Sequence, residues 1–368
     1  MTTANQFHPD YATSPGETLR DLLEDRAMSQ GDLAVRTGLT RKTINEIVAG
    51  KAPLTPEMAQ KLELVFNVRA NFWNERERLY RQQLAFKAQE EMLRGHLGWQ
   101  RNFPYAELVA RGKLAATANP LRRIRNLCCF FGIAEPASVE NVFSNLTIAG
   151  TLFRRGAGAG AKPYLAWTWL RLAELQAAEV EVPAFEKTGF AHVAEAIAGR
   201  TAAVADGHGL RRFVEETITA CRAAGVGLLL VPELKGAAIN GAAFWHGDTP
   251  VIALTLRGKR LDGFVFTLLH EAAHILRHRR NRSFVDVEDG AAGEVDRAVE
   301  EEANEFAARR CVPPQLNERI GQAVSLGDID ALAREAGVHR DLVIGRYGRL
   351  TNDYRRFETR KLRLDWEG

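Results

Sequence analysis

The stretch FTLLHEAAHILRH, residues 266–278, decides how the C-terminal half of this chain is interpreted. At about 100° per residue, a helix brings His270 and His274 onto one face, one turn apart. From that separation two imidazoles can reach one tetrahedral metal ion. Glu271 lies about 100° further round, where a carboxylate can act as general base, as in HExxH hydrolases. The pattern predicts a zinc (Zn2+) site with His270 and His274 as ligands and Glu271 as the catalytic base.

A third ligand is available on a second predicted helix, VEEEANEFAARR, at residues 299–310. Its apolar face is formed by Ala303, Phe306 and Ala307. Of the three consecutive glutamates, only Glu300 shares that face, one turn before Asn304. Glu300 is therefore the predicted third ligand. We expect Asn304, and His278 one turn beyond His274, to support the ligands from the second shell.

Two simpler interpretations remain open for these residues. The histidine stripe could be the polar face of an amphipathic helix that is exposed to solvent. Glu300 alone could be a solvated acid near a helix start, where the helix dipole favours negative charge. The residues around the rest of the stretch 266–278 are largely apolar, which favours burial, and buried histidines need partners.

Length and composition indicate an ordinary intracellular protein of two or three domains. The chain has 368 residues, of which 46% are hydrophobic and 26% are charged, and its formal net charge is +3. No apolar run approaches the ~20 residues that span a bilayer, and the N-terminus lacks the apolar core of a signal peptide. The four cysteines form no CxxC pair, which argues against a disulfide framework or a thiolate zinc site. We expect a cytoplasmic protein without a membrane partner.

Residues 1–85 are predicted to form short helices with clear start and stop signals. Ser29 opens SQGDLAVRT, and Gly38 ends that helix where a left-handed residue is needed. Thr40 caps the next helix, TRKTINEIVAG, and the pair Thr55-Pro56 opens a fourth. Two helices joined by a short turn that contains glycine are the helix-turn-helix unit.

The remainder divides into two predicted regions. Residues 86–200 are expected to be a mainly helical connecting region, interrupted by the flexible stretch GAGAGAK at 156–162. Residues 201–368 begin with a buried strand from Gly225 and two strands around the turn at 246–248. The edge of one of these strands, at residues 242–245, is a candidate surface for an extended substrate chain.

The C-terminal residues resemble the ImmA/IrrE family of metallopeptidases. The resemblance rests on HEAAH, then EEEANEFAA, then the two prolines after that helix, and it covers about residues 220–315. It implies an α+β, zincin-like (gluzincin-like) domain with a small, mostly antiparallel sheet. It also implies zinc on His270, His274 and Glu300, with Glu271 as base. Relatives usually have a bulky residue and a glycine inside the motif, where this chain has two alanines.

The N-terminal residues resemble the XRE-type helix-turn-helix of HigA-like antitoxins, over residues 14–66 and 71–80. The resemblance implies an all-α domain with TRKTINEIVAG as its recognition helix. It places Gln30 at a phosphate and four residues near DNA: Arg41, Lys42, Thr43 and Asn45. Residues 1–86 hold eleven basic and eleven acidic side chains, so binding would depend on a local basic patch and on dimerisation.

Together these features lead to a multidomain regulator that binds double-stranded operator DNA, as a possible homodimer, and carries a zinc endopeptidase domain. Its protein substrate would be a repressor or an antitoxin in a stress, prophage or toxin–antitoxin circuit. The alternative is a HigA-like antitoxin or autorepressor whose peptidase-like domain is a non-catalytic sensor or scaffold. A third hypothesis is self-cleavage within 150–163. Candidates for the group that stabilises the oxyanion are His246, Arg257 and Tyr347.

Overall fold

The computed structural model describes residues 13–143, 163–237, 239–255, 260–278, 284–287 and 294–363. The chain divides into two compact units, Met1–Leu97 and Gly98–Gly368. Three features predicted from sequence fall outside the described residues. They are the flexible stretch 156–162, all but the last residue of the self-cleavage region 150–163, and Arg257. Within the described residues, no helix is long and apolar enough to cross a membrane.

The first unit is entirely helical in its described part. Its elements are α1 (Pro15–Asp25), α2 (Gln30–Thr37), α3 (Arg41–Val48), α4 (Pro56–Phe66) and α5 (Ala70–Arg94). The apolar faces of these helices enclose one core, built around Leu33, Ile44, Leu62, Phe66 and Trp73. This arrangement confirms the predicted helical, helix-turn-helix character of the N-terminus.

Local signals explain where these helices begin and end. The Ser29 hydroxyl accepts a hydrogen bond from the Asp32 N–H, and the Asp32 carboxylate accepts one from the Ser29 N–H, which completes a capping box. Gly38 follows with φ +67°, the left-handed conformation that a side chain disfavours. Thr40 caps α3 by accepting from the Thr43 N–H. The turn between α2 and α3 is therefore specified by its own residues.

The second unit combines many helices with one small sheet. In the described residues its α-helices are α6 (Tyr105–Ala110), α7 (Pro120–Phe131), α8 (Ser138–Phe143), α9 (Pro163–Ala177), α10 (Lys187–Arg200), α11 (Gly207–Ala223), α12 (Leu261–Arg277), α13 (Glu294–Cys311), α14 (Asn317–Gly321), α15 (Leu326–Ala336) and α16 (Arg340–Thr351). Its strands are β1 (Gly227–Leu230), β2 (Ile239–His246), β3 (Thr249–Leu254) and β4 (Phe284–Val287). Short 3₁₀ turns lie at Trp99–Asn102, Thr201–Ala203, Pro314–Leu316 and Glu358–Arg360.

The sheet has four strands in the order β1-β3-β2-β4. β1 pairs with β3 in parallel, whereas β2 is antiparallel to both β3 and β4, so most of the pairing is antiparallel as predicted. β2 and β3 form the hairpin expected around residues 246–248, with Gly247 at φ +59°. Ala242 and Ala243 are paired with β3 on one side and β4 on the other. The prediction of an open edge at 242–245 is therefore wrong for these two residues, because β4 covers it.

Helices cover both faces of the sheet, which explains its almost unbroken apolar strands. On one face, Ala243, Ile252 and Leu254 belong to the core that contains α12 and α13. On the other face, residues Ala242, Phe244 and Val251 contact a second core with Trp167 and Trp169 of α9. Alternate side chains of a strand point to opposite faces, so each face is committed to one layer of helices. This fixes α12, the helix of the predicted metal ligands, directly against β2 and β3.

Candidate metal centre

The two predicted histidine ligands lie together on α12. His270 and His274 are buried, and their Nε2 atoms are 3.1 Å apart. The helix that carries them is apolar on most sides, with Leu268, Leu269 and Ala272 fully enclosed in the core. Burial of this helix therefore restricts the rotation of both imidazole rings, which lie on the same face of α12. The histidine stripe is not a solvent-exposed polar face in this structure.

Glu300 is brought to the same place by α13, which packs against α12. Its Oε2 is 3.2 Å from His270 Nε2 and its Oε1 is 3.6 Å from His274 Nε2. Ligand atoms of these three residues all lie within 4.8 Å of one another. The neighbouring Glu301 is exposed to solvent. The helical geometry of 299–310 thus selects the same glutamate as the sequence argument.

Electrostatics favour the form of histidine that binds a metal. Burial, followed by the charges of His270 and His278, lowers the pKa of His274 to about 2. The imidazole is therefore neutral at physiological pH, and a neutral imidazole nitrogen is a metal ligand.

Glu271 is completely buried where α12 crosses β2. A Cβ atom built on Gly241 of β2 would lie 3.0 Å from Glu271 Oε1 and 2.9 Å from both Leu254 Cδ2 and Thr267 Cγ2. The strand therefore needs a glycine at position 241 to leave room for the carboxylate. Gly241 was not predicted from the sequence, although an isolated glycine within a strand is a signal that another part of the chain approaches closely.

His278 lies behind His274, on the side away from the other ligands. The two Nδ1 atoms are 2.9 Å apart, and His278 Nε2 is 3.4 Å from Glu302 Oε2. If His274 binds a metal through Nε2, its proton is on Nδ1 and is donated to His278 Nδ1. His278 then carries its own proton on Nε2, facing Glu302. Each hydrogen bond in this chain fixes the tautomer of the next ring.

Glu302 is held in place by a further contact. Arg277 donates a hydrogen bond of 2.7 Å to Glu302 Oε1, and this bond lowers the pKa of the carboxyl group, so that it stays ionised. The Glu302 side chain is 44% exposed, as expected for a glutamate that does not share the apolar face of α13. The contact of Glu302 with His278 could not be predicted from the sequence, because it requires the last turn of α12 to lie against α13.

The other predicted residues lie as follows. Asn304 is exposed, one turn beyond Glu300, and among the described residues it makes no hydrogen bond to the three ligands. His246 ends β2 at the hairpin and is exposed. Tyr347 is buried, and its hydroxyl accepts a hydrogen bond of 3.1 Å from Arg356. None of these observations assigns a group to an oxyanion.

The predicted DNA contacts lie on the first unit. Arg41, Lys42 and Asn45 project from α3 into solvent. Thr43 is partly exposed and its hydroxyl is 2.8 Å from that of Thr40. Gln30 is the first residue of α2 and is also partly exposed. The outer face of α3 therefore offers two cations and an amide at the N-terminal part of the helix.

Two families match separate parts of the chain. Residues 19–73 match the helix-turn-helix family, and residues 225–343 match the family described as the IrrE N-terminal-like domain, peptidase family M78. The second range contains α12 and the residues His270, Glu271, His274 and Glu300.

Individual similar proteins cover short parts of the chain. A proposed HTH-type transcriptional regulatory protein of Methanocorpusculum labreanum is 46% identical over 57 residues, which are 16% of this chain and 18% of that protein. The solved structure of PA4674 from Pseudomonas aeruginosa with its operator DNA is 30% identical, covering 21% of this chain and 87% of that chain, with a TM-score of 0.21. The Pseudomonas aeruginosa antitoxin HigA with the higBA promoter is 27% identical, covering 23% and 91%, with a TM-score of 0.22. The chain thus carries an N-terminal helix-turn-helix domain and a C-terminal IrrE N-terminal-like domain.

Proposed function

We propose that this chain is a cytoplasmic DNA-binding regulator whose C-terminal domain is a zinc-dependent endopeptidase. Its substrate would be a repressor or antitoxin protein. The observation that carries the proposal is the cluster of His270, His274 and Glu300 beside a buried glutamate, inside a domain of an M78 peptidase family.

The donor atoms fit zinc in type and in spacing. Two imidazole nitrogens and one carboxylate are a set that zinc takes in catalytic sites, with a fourth position left for water or substrate. Bonds of 2.0–2.1 Å at tetrahedral angles separate ligand atoms by about 3.3 Å. The two nitrogens are 3.1 Å apart, and they lie 3.2 Å and 3.6 Å from the two different oxygens of the Glu300 carboxylate. The three groups therefore already lie at about the separation that a tetrahedral ion requires.

Each residue then has a defined task in peptide hydrolysis. When bound, zinc supplies Lewis acidity that polarises the scissile carbonyl and makes water acidic. Glu271, adjacent to His270 in the chain, takes the proton of the attacking water and delivers it to the leaving amine. Its enclosure between α12 and β2 keeps the carboxylate in one orientation. His278 and Glu302 hold His274 in the tautomer that leaves Nε2 free to bind.

The first unit would bind the operator DNA. Helix α3 has the position of a recognition helix, and its exposed Arg41, Lys42 and Asn45 suit phosphates and base edges in the major groove. Because the unit as a whole has no excess of positive charge, we expect modest affinity for a single copy. Two copies on two half-sites would supply the rest.

The discriminating experiment compares wild type with Glu271→Gln. Both proteins are loaded with zinc and incubated with repressor, antitoxin and toxin proteins encoded near the gene. We expect wild type to cut one of them and Glu271→Gln to leave it intact while binding operator DNA equally well. If neither protein cuts any candidate while both bind DNA, the domain is a sensor or scaffold and the endopeptidase proposal fails.

A further inference from the structure

A cavity of about 760 Å³ lies beside the candidate metal centre in the second unit. Thr267 and Asn304 are among its lining residues. Thr267 is three residues before His270 on α12, and Asn304 is four residues after Glu300 on α13. Both are therefore about one helical turn from a ligand, on the same helices. A polypeptide cut at the centre would have neighbouring residues within reach of this cavity.

The acidic groups that line the cavity are already neutralised. Asp262 forms an ion pair of 2.7 Å with Lys361. Glu305 pairs with Arg309 one turn along α13. The cation Arg260 is likewise matched by Glu358 at 2.6 Å. These three pairs leave little net charge in the cavity.

Two further cations in the lining have no such match. Arg346 and Arg349 project from α16, and within the described residues neither has an acidic side chain as ion-pair partner. Arg346 donates hydrogen bonds to the carbonyls of Ala308 and Val312 at the end of α13. Arg349 is exposed at the cavity and makes no hydrogen bond to any described residue. The balance of charge in the cavity is therefore positive.

The state of Arg346 points in the same direction. Desolvation by burial lowers the pKa of its guanidinium group, which means that burial makes the charged form less favourable than it is in water. An anion in the cavity would offset that cost. A guanidinium group matches a carboxylate with two parallel hydrogen bonds, which also fixes the orientation of the bound group.

We propose that this cavity is a substrate subsite that binds the side-chain carboxylate of an aspartate or glutamate near the cleaved bond, with Arg349 as the specificity-determining residue and Arg346 behind it. The inference rests on the endopeptidase function proposed above and adds a chemical class of substrate. The volume is sufficient for one such side chain together with part of the adjoining backbone.

The test is a cleavage profile on a library of peptides made by digesting a bacterial proteome, read by mass spectrometry. Zinc-loaded wild type is compared with Glu271→Gln, Arg349→Gln, Arg349→Lys and the matched control Arg355→Gln, an exposed arginine outside the cavity lining. We expect acidic residues to be enriched at one fixed position from the cut. Synthetic peptides with glutamate or glutamine at that position then give the kcat/KM ratio.

Loss of the charged hydrogen bonds in Arg349→Gln should lower the glutamate-to-glutamine ratio about tenfold or more. Arg349→Lys should retain part of this preference for glutamate, and Arg355→Gln should leave the ratio unchanged. A misfolded variant would lose activity on both peptides equally, so a change in the ratio reports on the subsite alone.

Four results would overturn the proposal. Cleavage without acidic enrichment, or an enrichment that Arg349→Gln leaves intact, removes the subsite but keeps the peptidase. Enrichment only for a free terminal carboxylate, lost when the terminus is amidated, assigns the cavity to chain ends rather than side chains. No cleavage beyond that of Glu271→Gln removes the peptidase itself, and the subsite with it.

Discussion

Replacing Gly241 by alanine should damage the candidate site without touching a metal ligand. The added Cβ would lie 2.9 Å from Leu254 Cδ2, 2.9 Å from Thr267 Cγ2 and 3.0 Å from Glu271 Oε1. Ordinary contacts between carbon atoms begin at about 3.5 Å, so each neighbour must retreat by about half an ångström. All three lie where α12 packs against β2 and β3, and overpacking such an interface costs about 1–3 kcal/mol.

Turnover should fall with stability, because one displaced group is the proposed base. A misplacement of about 1 Å can cost a hundredfold in rate, so a shift of half that size should lower kcat about tenfold. Zinc content should stay at the wild-type level, since His270, His274 and Glu300 are not among the crowded atoms. The assays are urea unfolding of the zinc-free protein, metal analysis, and kcat on the protein or peptide that wild type is found to cut.

The matched controls are a second glycine and a compensating change. Gly199 is the penultimate residue of helix α10, and a Cβ built there meets nothing within 4 Å, so Gly199→Ala should be neutral or stabilising by up to about 1 kcal/mol. Thr267→Ser removes the crowding methyl group and should recover part of the loss in Gly241→Ala. The reasoning is refuted if Gly241→Ala matches Gly199→Ala in both stability and turnover.

Three further outcomes follow from the described contacts. His278→Phe removes the acceptor for His274 Nδ1 and should weaken zinc binding about 10- to 100-fold in a chelator competition, whereas Glu302→Gln, which keeps an acceptor, should do less. Burial raises the pKa of Asp341 to about 6, above its unfolded value, so the protonated form favours the fold and this group should lower the stability of wild type by about 2 kcal/mol between pH 4 and 6.5. In denaturant titrations Asp341→Asn should lack that contribution. Gly16→Ala places a Cβ 2.2 Å from the Ile47 carbonyl oxygen and should destabilise the first unit by about 3 kcal/mol in thermal unfolding; an unchanged melting temperature would contradict this.

Local chemistry explains why several features could be predicted from the sequence. The Ser29–Asp32 capping box and the left-handed Gly38 depend only on residues within one turn, and both are found as expected. The choice of Glu300 among three glutamates depended on helical periodicity, which also holds over short distances. The three candidate ligands lie on two helices, yet the apolar residues of each helix identify which of its faces points inward.

Features that depend on distant pairing were beyond such reasoning. Strand β4, residues 284–287, was not predicted from the sequence, and it pairs with β2 about forty residues earlier. Its presence converts the expected substrate edge at Ala242 into an interior strand. Trp167 and Trp169 lie in residues 86–200, for which the sequence predicted only a mainly helical connecting region. In the structure they belong to the core on the second face of the sheet. Periodicity shows that a helix has an apolar face, but it does not identify the partner of that face.

The proposal that His270, His274 and Glu300 bind zinc can be tested by measuring the zinc content of two variants at neighbouring positions. Glu300→Ala removes the proposed third ligand, whereas Glu301→Ala removes an exposed carboxylate from the next position of the same helix. We expect about one zinc per chain for wild type and Glu301→Ala after dialysis against a weak chelator, and almost none for Glu300→Ala. Wild type without zinc, or equal retention by both variants, would contradict it.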